Sequence, residues 1–330
     1  MRTTIGACED TVRAALAACG VPEDNARLTA RAIVLAQVWG VASHGLLRLP
    51  HYLRRLRAGG YVADAQLQTV SDRGAVVGYD GQGGLGHWQV WGAAEDAVVR
   101  ARQYGVAVSA IGNSGHCGAL GIYTLPAVRA GFLAIVLSNG PAVMPAWGGA
   151  VPLLSTSPLA FGIPGGDRRI IVDMATTSVA RGTIAAYAAR AQQLPEGWAL
   201  DAHGEPTSDP HAALSGMLAP MGGAKGFALA LVVEALTGGV VGPHRSTEVA
   251  DMFDVGDDAR PQGLAHTVVT VDPGPLDVDG GAPERLAALF ADVESTGGHL
   301  PGAGRRDPDD IPPGEEIEVD DALAVEVLGL

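Results

Sequence analysis

The stretch GYDGQGGLGHW, Gly78 to Trp88, decides how the fold is read. It contains Gly81-x-Gly83-x-x-Gly86, the glycine pattern of a Rossmann dinucleotide site, in which a tight turn brings a pyrophosphate to a helix N-terminus. That reading needs a strand running into the first glycine, a helix from the last, and an acidic residue about 20 positions on for the ribose hydroxyls. The strand AVVGYD precedes and the helical WQVWGAAEDAVVRARQYG follows. The next strand, VAVSAI, however, ends in GNSGHCG without Asp or Glu. A Rossmann first strand also opens its domain and leads into regular strand–helix repeats, which NGPAVMPAWGGAVPLLSTSP does not provide. The residues weigh against a Rossmann site.

Upstream the chain reads as helical. EDTVRAALAACG places Val12, Leu16 and Cys19 at helical spacing with Gly20 as a stop, and PEDNARLTARAIVLAQVWGVASHG opens on Pro22, Glu23 and Asp24. A third piece, LPHYLRRLRAGG, carries Leu49, Leu53 and Leu56 and stops at Gly59-Gly60. Downstream, short β-branched runs alternate with alanine-rich helices: GVAVSAI, GFLAIVLSN, LAFGIP, RIIVDMA and AHTVVTVDP. The expected class is α/β, with a helical domain over 1–72 completed by part of 280–310, an α/β body over 73–275, and a strand-like segment at 311–330 returning to the body. QLPEGWALDAHGEPTSDPH, rich in turn formers, reads as a functional loop or lid.

With 330 residues and 47% hydrophobic content the chain can bury a sizeable core, yet glycine and proline interrupt every run before the roughly 20 apolar residues that span a bilayer. Glu9 and Asp10 stand where an export signal would be apolar, so a cytoplasmic address is expected. Three widely spaced cysteines, Cys8, Cys19 and Cys117, suit a reducing compartment. A formal charge of −14 argues against nucleic acid or an anionic membrane as partner. The single lysine, Lys225, stands out in a chain that otherwise uses arginine, and an ammonium is a compact point charge where guanidinium is a planar fork.

In VASHGLLRLP, His44 and Arg48 are four apart and would share one helical face, with Ser43 beside them. Such a pair can fork a carboxylate while the imidazole exchanges a proton with a neighbouring oxygen; the bland alternative is a helix-end histidine and a solvated arginine. His116 lies among glycines after a strand, in a turn that backbone can use to approach an anion. Cys117, adjacent to it, reads as a small wall residue rather than a nucleophile. The remaining histidines lack metal-ligand spacing, so no metal is expected.

ASHGLLRLPHYL, NSGHCGALGIY, SNGPAVMPAWGG, LLSTSPLAFGIP, VDMATTSVARG, LPEGWALDAHGEPTSDP and PMGGAKGFALALVVEALTGGVVG occur in order and at the spacing of the type-2 malate/L-lactate dehydrogenase family, which the chain resembles well from residue 5 to about 275. The resemblance implies a non-Rossmann mixed-sheet fold binding NAD or NADP, in which the glycine fingerprint is a chance match. It implies hydride transfer between nicotinamide and the Cα of a small 2-oxo or 2-hydroxy acid, with cyclic imino acid reduction and a catalytically silent nicotinamide-binding relative as alternatives. On the resemblance, His44 is proton donor, oriented by Ser43, and Arg48 grips the substrate carboxylate. His116 is a second acid/base candidate and, with Gly118, Ala119 and Leu120, a cofactor contact. Thr156, Arg181 and Gly182 face substrate. Asp173, Met174, Ala175, Thr176, Lys225, Gly226, Pro301 and Gly302 contact the cofactor. A homodimer is implied. Ser155 and Ser157 stand where glycine and asparagine are typical, Gly140 replaces a serine, and Thr183 takes a position often held by Lys or an acid.

Overall fold

A computed structural model describes residues 2–320. Strand β1 (Arg2–Thr4) leads into α1 (Ile5–Ala17), whose first turn is capped by the Thr4 hydroxyl accepting from the Ala7 amide at 3.2 Å. Ile5, Cys8, Val12 and Leu16 recur every three or four residues and are buried. They pack on α2 (Glu23–Val38), whose first turn carries Glu23 and Asp24 at the positive end of the helix dipole. Helix α3 (Leu49–Ala58) ends where Gly59 turns left-handed at φ 84°, a conformation that costs glycine little.

The sheet begins earlier than residue 73, with β2 (Gln68–Asp72) pairing with β3 (Val76–Asp80). Then follow α4 (Gly86–Tyr104), β4 (Val106–Ser114), α5 (Leu125–Arg129), β5 (Leu133–Ser138), the short hairpin β6 (Met144–Pro145) and β7 (Pro152–Leu154), β8 (Leu159–Gly165) and β9 (Arg168–Met174). Helix α6 (Arg181–Ala189), β10 (Ala199–Leu200), β11 (Pro206–Thr207), α7 (Pro210–Leu214) and β12 (Met217–Leu218) come next. The chain continues through α8 (Ala224–Glu234), β13 (Leu264–Val271), α9 (Ala282–Ser295) and β14 (Glu316–Glu318). The main sheet has the order β2-β3-β4-β13-β5-β8-β9; β3 and β4 are parallel and every other neighbour is antiparallel. It is a mixed sheet, not a doubly wound one.

Three expectations shift. The segment read as a lid forms a small sheet, β11-β10-β12, over a core of Ile184, Leu194, Ala199, Ala213 and Leu218, because its apolar residues find α6 and α7 to bury against. Helix α9 packs on β8 rather than on the N-terminal helices: Phe290 sits so close to Gly165 that a Cβ there would lie 2.2 Å from its ring. Residues 302–310 then run from the sheet edge to the N-terminal helices, with Arg129 and Arg169 on Asp307, Arg31 on Asp309, and the Trp39 indole donating to the Arg306 carbonyl at 2.8 Å. Within 311–320, β14 pairs antiparallel with β1, Arg2 opposite Glu318, so the N-terminal part is not purely helical. The rest of the expected terminal strand lies outside the described residues.

Candidate active site

Ser43 and His44 close a 3-10 turn (Ala42–His44), and Arg48 closes a second (Leu46–Arg48). The single helical face expected for His44 and Arg48 is therefore not formed. Gly45 between them is extended at φ −90°, ψ −141°, and its Cα abuts Gln37, where a Cβ would meet the side chain oxygen at 2.8 Å. Burial, and after it the nearby Arg48 charge, holds the His44 imidazole down to about 4. His44 is neutral at pH 7. Its Nδ1 lies 3.0 Å from Ser43 Oγ, a hydroxyl able to accept or donate. The Arg48 guanidinium sits 4.4 Å from the centre of the Phe253 ring, and its buried Nε has no hydrogen-bond partner. A buried donor without an acceptor is costly, and a substrate carboxylate would satisfy it.

The His116 ring stacks on His44 with centroids 5.7 Å apart and 20° between planes. Its Nδ1 receives the Tyr52 hydroxyl at 2.8 Å and the Gly118 amide at 3.2 Å, while its own backbone amide donates to Gln262 Oε1 at 3.2 Å. Gln262 Oε1 also accepts from Tyr61. Behind them His87 is fully buried, edge-on to Tyr52, with neither ring nitrogen partnered. Burial pushes His87 down to about 3 and His116 well below the ordinary imidazole range. Cys117 is buried, its thiol pushed up by desolvation, which disfavours a thiolate nucleophile.

Asp251 ties the site to its far wall. One of its oxygens accepts from the Phe253 amide at 3.0 Å, and the other lies 3.3 Å from Arg181 at the start of α6. Arg54 pairs with Asp258, and the buried Arg55 donates to the carbonyls of Asp257 and Arg260, so the helix directly after Arg48 holds the 251–260 loop. Sequence reasoning missed Tyr52, Phe253, Asp251 and Gln262. Tyr52 follows Arg48 by one helical turn, a readable spacing, whereas the others come from a loop without periodic signal.

The remaining candidates form two connected groups. Gly121, next to Leu120, donates its amide to Asp173 at 2.8 Å; Arg305 reaches the Ile171 carbonyl at 2.9 Å, and a Cβ on Gly302 would collide with that carbonyl at 2.0 Å. Thr176 gives both its amide and its hydroxyl to the Thr156 carbonyl at 2.9 Å and accepts the Met221 amide at 2.8 Å, which draws the Lys225-Gly226 turn to the end of β9. The segment from Asp173 to Arg181 connects both groups to the Arg48 wall. Ser157 has a left-handed φ of 39°, where asparagine is favoured, and Ser155 Oγ accepts its amide at 2.9 Å. The two departures from the motif thus compensate each other. The backbone is open at Gly182 and Gly222, with nothing within 4 Å of a Cβ, and the exposed Lys225 has no ion-pair or hydrogen-bond partner among the described residues, so its ammonium and that open backbone would suit an anionic ligand.

The glycine fingerprint does lie in a strand–turn–helix–strand unit, but its amides are spent. Those of Gly81, Gln82, Gly83 and Gly84 donate to Gly112 O, Asp80 Oδ1, Asn113 O and Gly81 O. Gln89 fills the turn, donating to Gly81 O at 2.6 Å, and Gly86 abuts the Gly115 carbonyl. A phosphate finds no free amide between Gly81 and Gly84.

Comparison with known proteins agrees with this architecture. A (2R)-3-sulfolactate dehydrogenase (NADP(+)) from Chromohalobacter salexigens is 40% identical over 95% of this chain and 93% of its own. A ureidoglycolate dehydrogenase (NAD(+)) from Escherichia coli is 33% identical over 77% of this chain and 72% of its own. The crystal structure of Δ1-piperideine-2-carboxylate reductase from Pseudomonas syringae superposes with a TM-score of 0.91 at 28% identity, covering 100% of this chain and 99% of that one. The family model described as malate/L-lactate dehydrogenase matches residues 4–324, and the chain belongs to the malate/L-lactate dehydrogenase family.

Proposed function

We propose that this chain is an NAD(P)-dependent oxidoreductase that interconverts a small 2-hydroxy acid and its 2-oxo acid, with His44 moving the proton. One observation carries the reading: an imidazole with a hydroxyl partner that can reverse its role stands beside a guanidinium whose buried Nε lacks an acceptor. Reduced nicotinamide, when bound, supplies a hydride. Arg48 forks the substrate carboxylate, and Phe253 covers one face of the guanidinium so that its charge is spent along the edge. Neutral His44, its own proton on Nδ1 and donated to Ser43, takes the hydroxyl proton at Nε2 in oxidation; in reduction the same proton returns to the oxygen. Burial is the larger cause of the low His44 pKa, and a carboxylate against Arg48 offsets the smaller contribution of the Arg48 charge, favouring the imidazolium needed for reduction. Asp173, Thr176, Lys225, Gly226 and Gly302 are the residues that would hold the dinucleotide.

We infer a substrate with a second acidic group, as in the sulfolactate of the relative's name, because Arg181 is held only at 3.3 Å by Asp251 and 3.4 Å by the Leu214 carbonyl. The working form we infer is a homodimer in a reducing cytoplasm. Ala230 and Val233 of α8 are buried, but Leu229, Leu231, Val232 and Leu236 face outward, with Val232 54% exposed, and three free thiols suit the compartment.

The test is loss of reduced-nicotinamide absorbance with a panel of 2-oxo acids and cyclic imines, with NADH and with NADPH. Turnover of 2-oxo acids, dianionic ones above pyruvate, is expected. Tight nicotinamide binding with no turnover would assign the chain to silent binding instead.

A further inference from the structure

Two imidazoles share the site, and their hydrogen-bond partners differ in kind. Ser43 Oγ, the partner of His44 Nδ1, is a hydroxyl and serves either protonation state of that nitrogen. The partner of His116 Nδ1 includes the Gly118 backbone N–H, at 3.2 Å, and a backbone amide can only donate. His116 Nδ1 must therefore be unprotonated. The Tyr52 hydroxyl, 2.8 Å from the same nitrogen, then donates as well. Nor can the ring readily swing away: its backbone amide is held by Gln262, one face is stacked on His44, and Tyr52 stacks at 5.9 Å. The groups whose charges reach it are His44, Arg48, His87 and His266, and Tyr52 is its hydrogen-bonding neighbour. None is an anion that would favour an imidazolium.

We propose that Tyr52 and the Gly118 amide are positioning groups that fix His116 as its neutral Nε2–H tautomer, making it a permanent hydrogen-bond donor to an oxygen of the bound reactants and not a proton carrier. Gly118 is suited to the task, since its φ of +72° aims the amide back at the ring two residues earlier, and a Cβ there would press on His87 Nε2 at 3.1 Å. The arrangement divides the labour: Ser43 can accept from His44 Nδ1–H, which leaves Nε2 free to take up and release a proton, whereas His116 polarises an oxygen without changing its own state. This rests on the assignment of proton transfer to His44, but its test does not depend on turnover.

Histidine-selective 15N labelling of the whole protein, free of nicotinamide, gives one pair of ring resonances for each of the nine histidines. The pair lost in His116→Asn belongs to His116, and the pair lost in His87→Gln identifies the other ring in contact with Tyr52. The expected result is an unprotonated Nδ1 and a protonated Nε2 that stay so from pH 5 to 9. Tyr52→Phe should shift Nδ1 toward the unbonded range while leaving it unprotonated and leaving the pH limb of kcat/KM in place. A protonated Nδ1, a titration of this ring inside that pH range, or an Nδ1 unmoved by Tyr52→Phe overturns the proposal. If no 2-oxo acid turns over yet the tautomer is as described, the fault lies with the assigned reaction and not with the lock.

Discussion

Replacing Arg48 with lysine separates charge from geometry at the carboxylate fork. Lysine keeps the positive charge but offers a compact ammonium, so one of two parallel charge-assisted hydrogen bonds is lost. Such a bond is worth about 1.5–3 kcal/mol, and each 1.36 kcal/mol is tenfold, so kcat/KM should fall about 10- to 150-fold. The loss of the guanidinium from its place 4.4 Å over Phe253 adds about 0.5–1 kcal/mol, which Phe253→Leu measures alone as a loss of about two- to fivefold. The assay is initial velocity against 2-oxo acid at saturating reduced nicotinamide, with the nicotinamide dissociation constant measured by fluorescence. That constant and the unfolding midpoint should change little, because Arg48 makes no hydrogen bond to the rest of the protein through Nε. An unchanged kcat/KM, or a loss that follows nicotinamide affinity, would remove Arg48 from the substrate.

His44→Asn keeps a polar side chain but no titrating proton; turnover should drop about 10²- to 10⁴-fold with nicotinamide binding intact and a flattened pH profile, and a full-rate variant would exclude His44. Arg181→Met should raise KM for a dianionic 2-oxo acid well above any change for pyruvate, and equal changes would deny Arg181 the second acidic group. His44, His87 and His266 are all depressed by burial, to about 4, 3 and 4, so the unfolded chain binds more protons than the native one between those values and 6.5. Stability is therefore full above pH 6.5 and should fall as pH drops from there toward 4, by about 1.36 kcal/mol per pH unit for each group. Denaturant midpoints flat over that interval would contradict it. Val232→Asp on the outer face of α8 should give a monomer by light scattering if that face joins two subunits, and an unchanged mass would place the contact elsewhere.

Much of this was legible because it rests on local pattern. The stripe Ile5, Cys8, Val12 and Leu16, the left-handed stop at Gly59, and the β-branched run of β13 are each decided by residues close in sequence. The histidine–arginine pair was visible too, though not its geometry: the chain extends at Gly45 between two 3-10 turns, and Gln37 leaves no room there for a side chain, a contact between elements that spacing cannot reveal. The same limit hid Phe253 and Gln262, which reach the site through a loop anchored by Arg54 and Arg55 from another element. The fingerprint at Gly81 shows the converse. Its letters match a phosphate loop, but only the hydrogen bonds show that the neighbouring strand, Asp80 and the turn itself already take the amides of Gly81 to Gly84.

The pairing of β1 with β14 also sets a clock. Arg2 and Glu318 are separated by 316 positions, and at roughly 5–20 residues per second of translation the first strand emerges about 15 to 60 s before its partner exists. During that interval the N-terminal helices can pack on one another but cannot be sealed. The ion pairs that Arg31 and Arg129 make with Asp309 and Asp307 arrive just as late. Residues 302–318 are thus stitched onto the N-terminal helices late in synthesis, and a nascent chain stalled shortly before residue 302 would present a formed sheet with those helices still unfastened.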